Sequence, residues 1–230
     1  MQPKEINSII QIPAERSYVS IKEAEAAFIY ELISSKKLHK TLETGLGFGN
    51  SACHILAASG ANHIAIDPFQ KDYDYLAVKN VESLGFKEKF DFREDYSHNV
   101  LPQLLKEEKQ FDFIFIDGDH KFDGILVDFY YADLLLENGG YVLFHDTWMR
   151  STQLVSSFIK KNKANYEVVD CQLRNFHLFK KIKKDDRDGM HFKEFYNSKS
   201  KITYNMITWM TSPGDSFLKR SAIKLKDWLK

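Results

Sequence analysis

The chain reads as a doubly wound α/β fold on three observations. Seven short apolar runs alternate with helix-period stretches along most of the 230 residues. A glycine loop, Gly45-Leu46-Gly47-Phe48-Gly49, falls between the first run and the helix after it. An acid, Asp67, ends the second run, 22 positions beyond Gly45. Alternation of this kind gives a mostly parallel sheet with helices on both faces. A glycine loop at the first strand-to-helix turn seats a nucleotide-like ligand, and an acid about 20 residues on is where a ribose is held.

The elements follow in order. Residues 1–20 have no clear period and read as loose. Ile21 to Leu38 carry a helical stripe through Ala24, Phe28 and Leu32. The first strand is Thr41–Thr44, followed by a helix over Asn50–Ser59. The second strand is His63–Ile66, with a helix over about Tyr73–Leu84, and the third is Phe90–Arg93. Val100, Leu101, Leu104 and Leu105 mark a helix to about Lys109, and Phe111–Ile116 is the fourth strand. Phe122, Ile125, Leu126, Phe129 and Tyr130 have the 3–4 spacing of another helix, which Gly139-Gly140 ends. The fifth strand is Tyr141–Phe144, and a helix near Thr152–Lys161 precedes two adjacent strands, Tyr166–Val169 and Phe176–Lys180. Adjacent strands predict a terminal antiparallel hairpin.

Lys181–Asp188 is strongly charged and reads as a linker or exposed turn. Beyond it, Ser212–Asp215 is a turn, and Ser216–Lys230 is a basic amphipathic helix with Phe217, Leu218, Ala222, Leu225, Trp228 and Leu229 near one face. Aromatics from Phe192 onward suggest a subunit contact, hence a homo-oligomer. The expected organisation is an N-terminal segment and helix (1–40), the sheet domain (41–181) and a C-terminal extension (182–230) serving as a lid or oligomer contact.

Bulk properties suit an enzyme of one main domain. Apolar content is 43%, enough for a sizeable core. Lys plus Arg and Asp plus Glu are 32 each, so no net field draws nucleic acid or an anionic membrane. No apolar run spans a bilayer, and the first residues lack the apolar core of a signal peptide. Cys53 and Cys171 stand far apart, which suits a reducing compartment. The expected location is cytoplasmic.

A second cluster carries the chemistry. Phe111–Ile116 runs into Asp117-Gly118-Asp119-His120, and Gly139–Phe144 runs into His145-Asp146. Both groups lie just past the C-terminal ends of predicted neighbouring strands, the edge where ligands bind in such sheets. Three carboxylates and two imidazoles there call for a cation, a proton or substrate donors between them.

The ordered motifs E-T-G-x-G-x-G-N-S, I-D-P, I-D-G-D-H and G-G-Y-x-x-x-H-D resemble bacterial class I S-adenosylmethionine (SAM) methyltransferases, the group with O-methyltransferases acting on antibiotic sugars. The resemblance covers about Thr41–Asp146 and implies a Rossmann-like, SAM-binding catalytic domain. It implies that Gly45, Gly47 and Gly49, with Asn50 and Ser51 opening the helix, lie against the methionine part of SAM, with Glu43 beneath. It places Asp67 on the ribose and Asp95 near the adenine, with Asp117 at the cofactor as well. It further implies a divalent cation, Mg²⁺ or Mn²⁺, held by Asp117, His145 and Asp146. His145 departs from the carboxylate or amide of many relatives, and imidazole favours transition metals over Mg²⁺. The base of relatives sits two or three residues after the first ligand, a position that Asp119 and His120 both match. The implied activity is O-methylation of a small hydroxylated acceptor such as a sugar. The alternatives are a metal-independent small-molecule methyltransferase and a SAM-binding interaction protein without turnover.

Overall fold

The computed structural model describes residues 1–195 and residue 209. The terminal turn and amphipathic helix read from the sequence lie outside the described residues. A seven-stranded sheet has the order β3-β2-β1-β4-β5-β7-β6. Its strands are β1 (Thr41–Thr44), β2 (His63–Ile66), β3 (Phe90–Arg93), β4 (Phe111–Ile116), β5 (Leu136–Phe144), β6 (Tyr166–Val169) and β7 (His177–Lys181). Strands β1 to β5 pair in parallel, and β7 runs antiparallel to both β5 and β6. The chain reverses direction across the sheet at β1–β4, so the crevice for a ligand opens beyond the C-terminal ends of those two strands.

The helices are α1 (Pro3–Ile9), α2 (Glu23–Lys36), α3 (Asn50–Ser59), α4 (Leu76–Ser83), α5 (Ser97–Lys106), α6 (Phe122–Leu135) and α7 (Arg150–Asn162). Because β4 is covered on both sides, its residues from Phe113 to Ile116 are apolar without alternation. Ile114 and Ile116 pack with Leu101, Leu104, Ile125, Phe129 and Val155 on one face. Phe113 and Phe115 pack with Ile29, Ile33 and Ile55 on the other. No helix among the described residues is long and apolar enough to cross a membrane.

Three expectations are corrected. Residues 1–20 are not loose: they form α1 and a 3₁₀ turn over Ala14–Val19. Ile6 is fully buried, and Asn80 exchanges two hydrogen bonds with the Gln11 backbone, accepting at 2.8 Å and donating at 2.9 Å. The Gly139-Gly140 pair does not end a helix. Instead α6 stops at Leu135, and the extended backbone at Leu136 begins β5 directly. The glycines absorb an irregularity there: β5 advances from Leu136 to Tyr141 while β4 advances from Phe111 to Phe113. Finally, Lys181 is buried at the end of β7, donating to the Leu136 carbonyl at 2.9 Å, and Lys163 bridges Asp133 and Asp185. The start of the charged run is therefore an internal ionic tie.

A buried carboxyl is hydrogen-bonded to the end of β1. Thr44, ending β1, donates to Asp128 Oδ2 at 3.0 Å, and burial pushes Asp128 up to about 6. An unfolded aspartate titrates near 3.9, so this group favours the folded chain at low pH, and that contribution is lost as pH rises through about 6. Asp128→Asn should therefore flatten the loss of stability between about pH 4 and 7, by roughly 3 kcal/mol for two pKa units. Urea unfolding of both proteins at the two pH values checks this; identical pH dependence would exclude Asp128 as its source.

Candidate active site

The glycine loop is shaped by contacts with the chain itself. Gly45, Gly47 and Gly49 have φ of +84°, +51° and +77°, backbone that side chains rarely adopt. A Cβ on Gly45 would collide with the carbonyl of Asp117, and one on Gly47 would stand 3.0 Å from the Val19 carbonyl. Loop and strand end are thus packed backbone to backbone. Gly45→Ala should cost roughly 2–5 kcal/mol, the left-handed backbone and the overpacking together. Thermal unfolding measures it, and a change under 1 kcal/mol would show that the loop relaxes freely.

Asp67 closes the loop from β2. Its Oδ2 accepts from the Leu46 and Gly47 amides at 2.8 and 3.2 Å, and its Oδ1 from Phe69 N–H at 2.7 Å. Asn50 donates to the Ile21 carbonyl at 2.9 Å, tying the start of α3 to the N-terminal segment, and Ser51 is buried beside it. Glu43 is fully buried beneath, 3.3 Å from His63 Nε2, and burial pushes its carboxyl up. Asp95 turns toward α5, accepting from Tyr96 N–H at 2.7 Å and from the Asn99 side-chain amide at 2.9 Å. Two aromatics that sequence reasoning missed stand over the ends of β2 and β3. Phe69 and Tyr96 are each 49% exposed and meet edge to face at 5.9 Å. Exposed and core aromatics look alike in a sequence, so no signal marked them.

The acids and imidazoles converge at the ends of β4 and β5, as their spacing predicts. The Asp117 amide donates to Thr44 O at 2.9 Å and the His145 amide to Ile116 O at 3.1 Å, which fixes both just past the strand ends. Asp146 follows with φ +50°, a left-handed conformation that aspartate tolerates better than most residues. His120 Nε2 lies 3.1 Å from Asp146 Oδ2, and Trp148 donates to Asp146 Oδ1 at 2.9 Å. One donor atom from each of Asp117, His120 and Asp146 lies within 4.8 Å of the others. His145 faces the same two carboxylates, its Nδ1 also 3.6 Å from Asp146 Oδ1. Its Nδ1 meets Asp117 Oδ1 at 2.8 Å and its Nε2 lies 3.3 Å from Glu25 Oε2. Asp119 accepts from Lys121 N–H at 2.9 Å and leans on Gly124, at the start of α6.

Charge follows this geometry. The Asp146 hydrogen bond raises His120 above the ordinary imidazole range. Burial alone would raise Asp146, but His120, His145 and Trp148 outweigh it and hold the carboxyl near about 2. Burial alone would lower His145, but Asp117, Glu25 and Asp146 push it up to about 11. The reacting edge thus has two imidazole–carboxylate pairs side by side, His120 with Asp146 and His145 with Asp117, and burial pushes the Asp117 carboxyl up.

Residues 42–147 match the family model described as a methyltransferase domain. Caffeoyl-CoA O-methyltransferase 1 of Zea mays is 28% identical over 125 residues, 51% of this chain and 48% of that one. The caffeoyl-CoA O-methyltransferase of Medicago sativa is 29% identical over 100 residues, 41% of this chain and 40% of that one. The chain spans about half the length of the curated relatives it matches. Among solved structures, the O-methyltransferase from Bacillus cereus in complex with SAH aligns with a TM-score of 0.63 at 18% identity, over 79% of this chain and 89% of that one. The O-methyltransferase TomG from Streptomyces achromogenes in complex with SAM aligns at 0.66 and 15% identity, over 77% and 89%. These structural likenesses establish the fold. Residues 42–147 are thus similar to a methyltransferase domain, and they lie on a Rossmann-like sheet.

Proposed function

We propose that this protein transfers a methyl group from SAM to a hydroxyl of a small molecule. The observation that carries the reading is the His120–Asp146 pair at 3.1 Å, set beside Asp117 next to the glycine loop. The loop fits the cofactor in kind: a left-handed glycine turn pinned by Asp67, with the half-exposed Phe69 and Tyr96 as a wall for a flat base. SAM, when bound, supplies a methyl group on a sulfonium. A hydroxyl is a poor nucleophile until its proton leaves, and His120 is the group placed to take it, oriented by Asp146. Asp117 and the His145 beneath it would hold the acceptor in line, where much of the remaining acceleration arises. Asp119, spent on the turn into α6, is the less suited of the two candidate bases.

A second reading adds a divalent cation, favoured by the mutual closeness of donors on Asp117, His120 and Asp146. The set differs from the one the resemblance implies, with His120 in place of His145, and its mixed nitrogen and oxygen donors suit Mn²⁺ or a later metal better than Mg²⁺. A cation there would lower the pKa of a bound hydroxyl.

Calorimetric titration with SAM and with NAD, followed by SAH release across a panel of sugars and phenols, tests the reading. The expected result is SAM binding, a loss of about 1–3 kcal/mol in Asp67→Ala, and turnover of a hydroxylated acceptor. NAD binding without SAM binding would overturn it, and SAM binding without turnover of any acceptor would make the chain a binding module.

A further inference from the structure

We propose that Glu25, from helix α2 outside the matched methyltransferase segment, is a positioning residue that sets the direction of Asp117 through His145. The proposal rests on Asp117 being part of the reacting edge, as argued above. Glu25 is 5% exposed, and 120 residues separate it from His145. Its Oε2 accepts from Lys22 N–H at 2.8 Å, the reciprocal contact at the start of α2, and faces His145 Nε2 at 3.3 Å. Its Oε1 accepts from Asn175 at 3.1 Å, and the same Asn175 amide nitrogen lies 2.7 Å from His145 Nε2. The imidazole is also boxed by two rings, Phe115 at 6.2 Å and Phe176 at 5.4 Å, both edge-on. Glu25 therefore holds one nitrogen, with the Asn175 amide bonded to Glu25 beside it, the rings fix the plane, and the other nitrogen is aimed at Asp117 Oδ1, 2.8 Å away.

An N-terminal capping role alone explains one contact of Glu25 but not the rest. A capping glutamate needs only the Lys22 amide and sits at a helix end open to solvent. This one is buried against an imidazole that is itself bonded to Asp117. The arrangement also accounts for a histidine at position 145. Between two carboxylates the imidazole is a rigid donor at both nitrogens. Glu25 supplies the second carboxylate. Residues on both sides of the matched segment, α2 and the β6–β7 loop, thereby complete its site.

The experiment compares the full chain with Glu25→Ala, Glu25→Gln and Asn175→Ala, labelled with ¹⁵N-histidine. Long-range ¹H–¹⁵N spectra follow the ring nitrogens of His145, assigned by their loss in His145→Asn. SAM affinity is measured by calorimetry, and turnover as SAH release from the best acceptor of the panel. The expected result in Glu25→Ala is a changed signal at the far nitrogen, Nδ1, as the ring leaves Asp117. Turnover should fall about 10²-fold, the scale of a misplacement of about 1 Å, with SAM affinity unchanged. Glu25→Gln, which retains an acceptor oxygen, should recover part of both. An unchanged Nδ1 signal in Glu25→Ala, with only a lower melting temperature, would overturn the proposal and leave Glu25 a helix cap. Failure of the wild-type chain to bind SAM would instead overturn the methyl-transfer reading, and the Nδ1 signal would still decide whether Glu25 holds His145.

Discussion

Replacing His120 by alanine should lower turnover about 10²–10⁴-fold, the usual contribution of a general base, while SAM affinity stays unchanged. His120 reaches Asp146 at 3.1 Å from the turn after β4, whereas Asp119 accepts the Lys121 amide at 2.9 Å. The imidazole must be neutral to accept a proton, and its hydrogen bond to Asp146 holds it above the ordinary 6.5. Turnover should therefore climb as pH rises past neutral, and the climb should vanish in His120→Ala. Steady-state rates across pH for wild type, His120→Ala and Asp119→Ala measure this. Near-normal turnover in His120→Ala with a large loss in Asp119→Ala would transfer the role to Asp119.

That choice could not be read from the sequence, and the reason is physical. Strands β1, β2, β3 and β4 lie where the sequence places them, because strands covered by helices are rich in apolar residues. The acids at their ends are found with them, which brought Asp67, Asp117, His145 and Asp146 to one edge. The direction of a side chain in a turn depends on backbone dihedrals that composition does not encode. Asp119 and His120, adjacent in sequence, point to different partners for that reason. The start of β5 was misread because Gly139-Gly140 served a strand irregularity rather than a helix end. Glu25 and Asn175 were invisible for another reason: each meets His145 only once the chain has folded, across 120 and 30 residues. Their residue types are ordinary surface types, and only burial gives them a role.

Asp146→Asn should lower turnover by about 10²-fold or more, within the range for losing a positioned proton acceptor. Asp146 orients His120, takes the Trp148 indole N–H at 2.9 Å, and has a left-handed backbone with φ +50°. Asparagine tolerates that backbone and retains an acceptor oxygen for Trp148, so the variant should fold and bind SAM. What it loses is the negative charge on His120. The imidazole should return toward its ordinary range, and the climb of rate with pH should move to lower pH. Asp146→Ala should add a backbone cost of about 1–2 kcal/mol and melt earlier, which separates strain from charge. The same variants divide the two readings of the site. If chelation removes wild-type activity and Mn²⁺ restores it, and Asp117→Ala and Asp146→Asn do not respond, the cluster acts around a cation. Full wild-type activity in excess chelator would assign it to proton transfer alone. Wild-type turnover in Asp146→Asn, with an unmoved pH profile, would remove Asp146 from the mechanism under either reading.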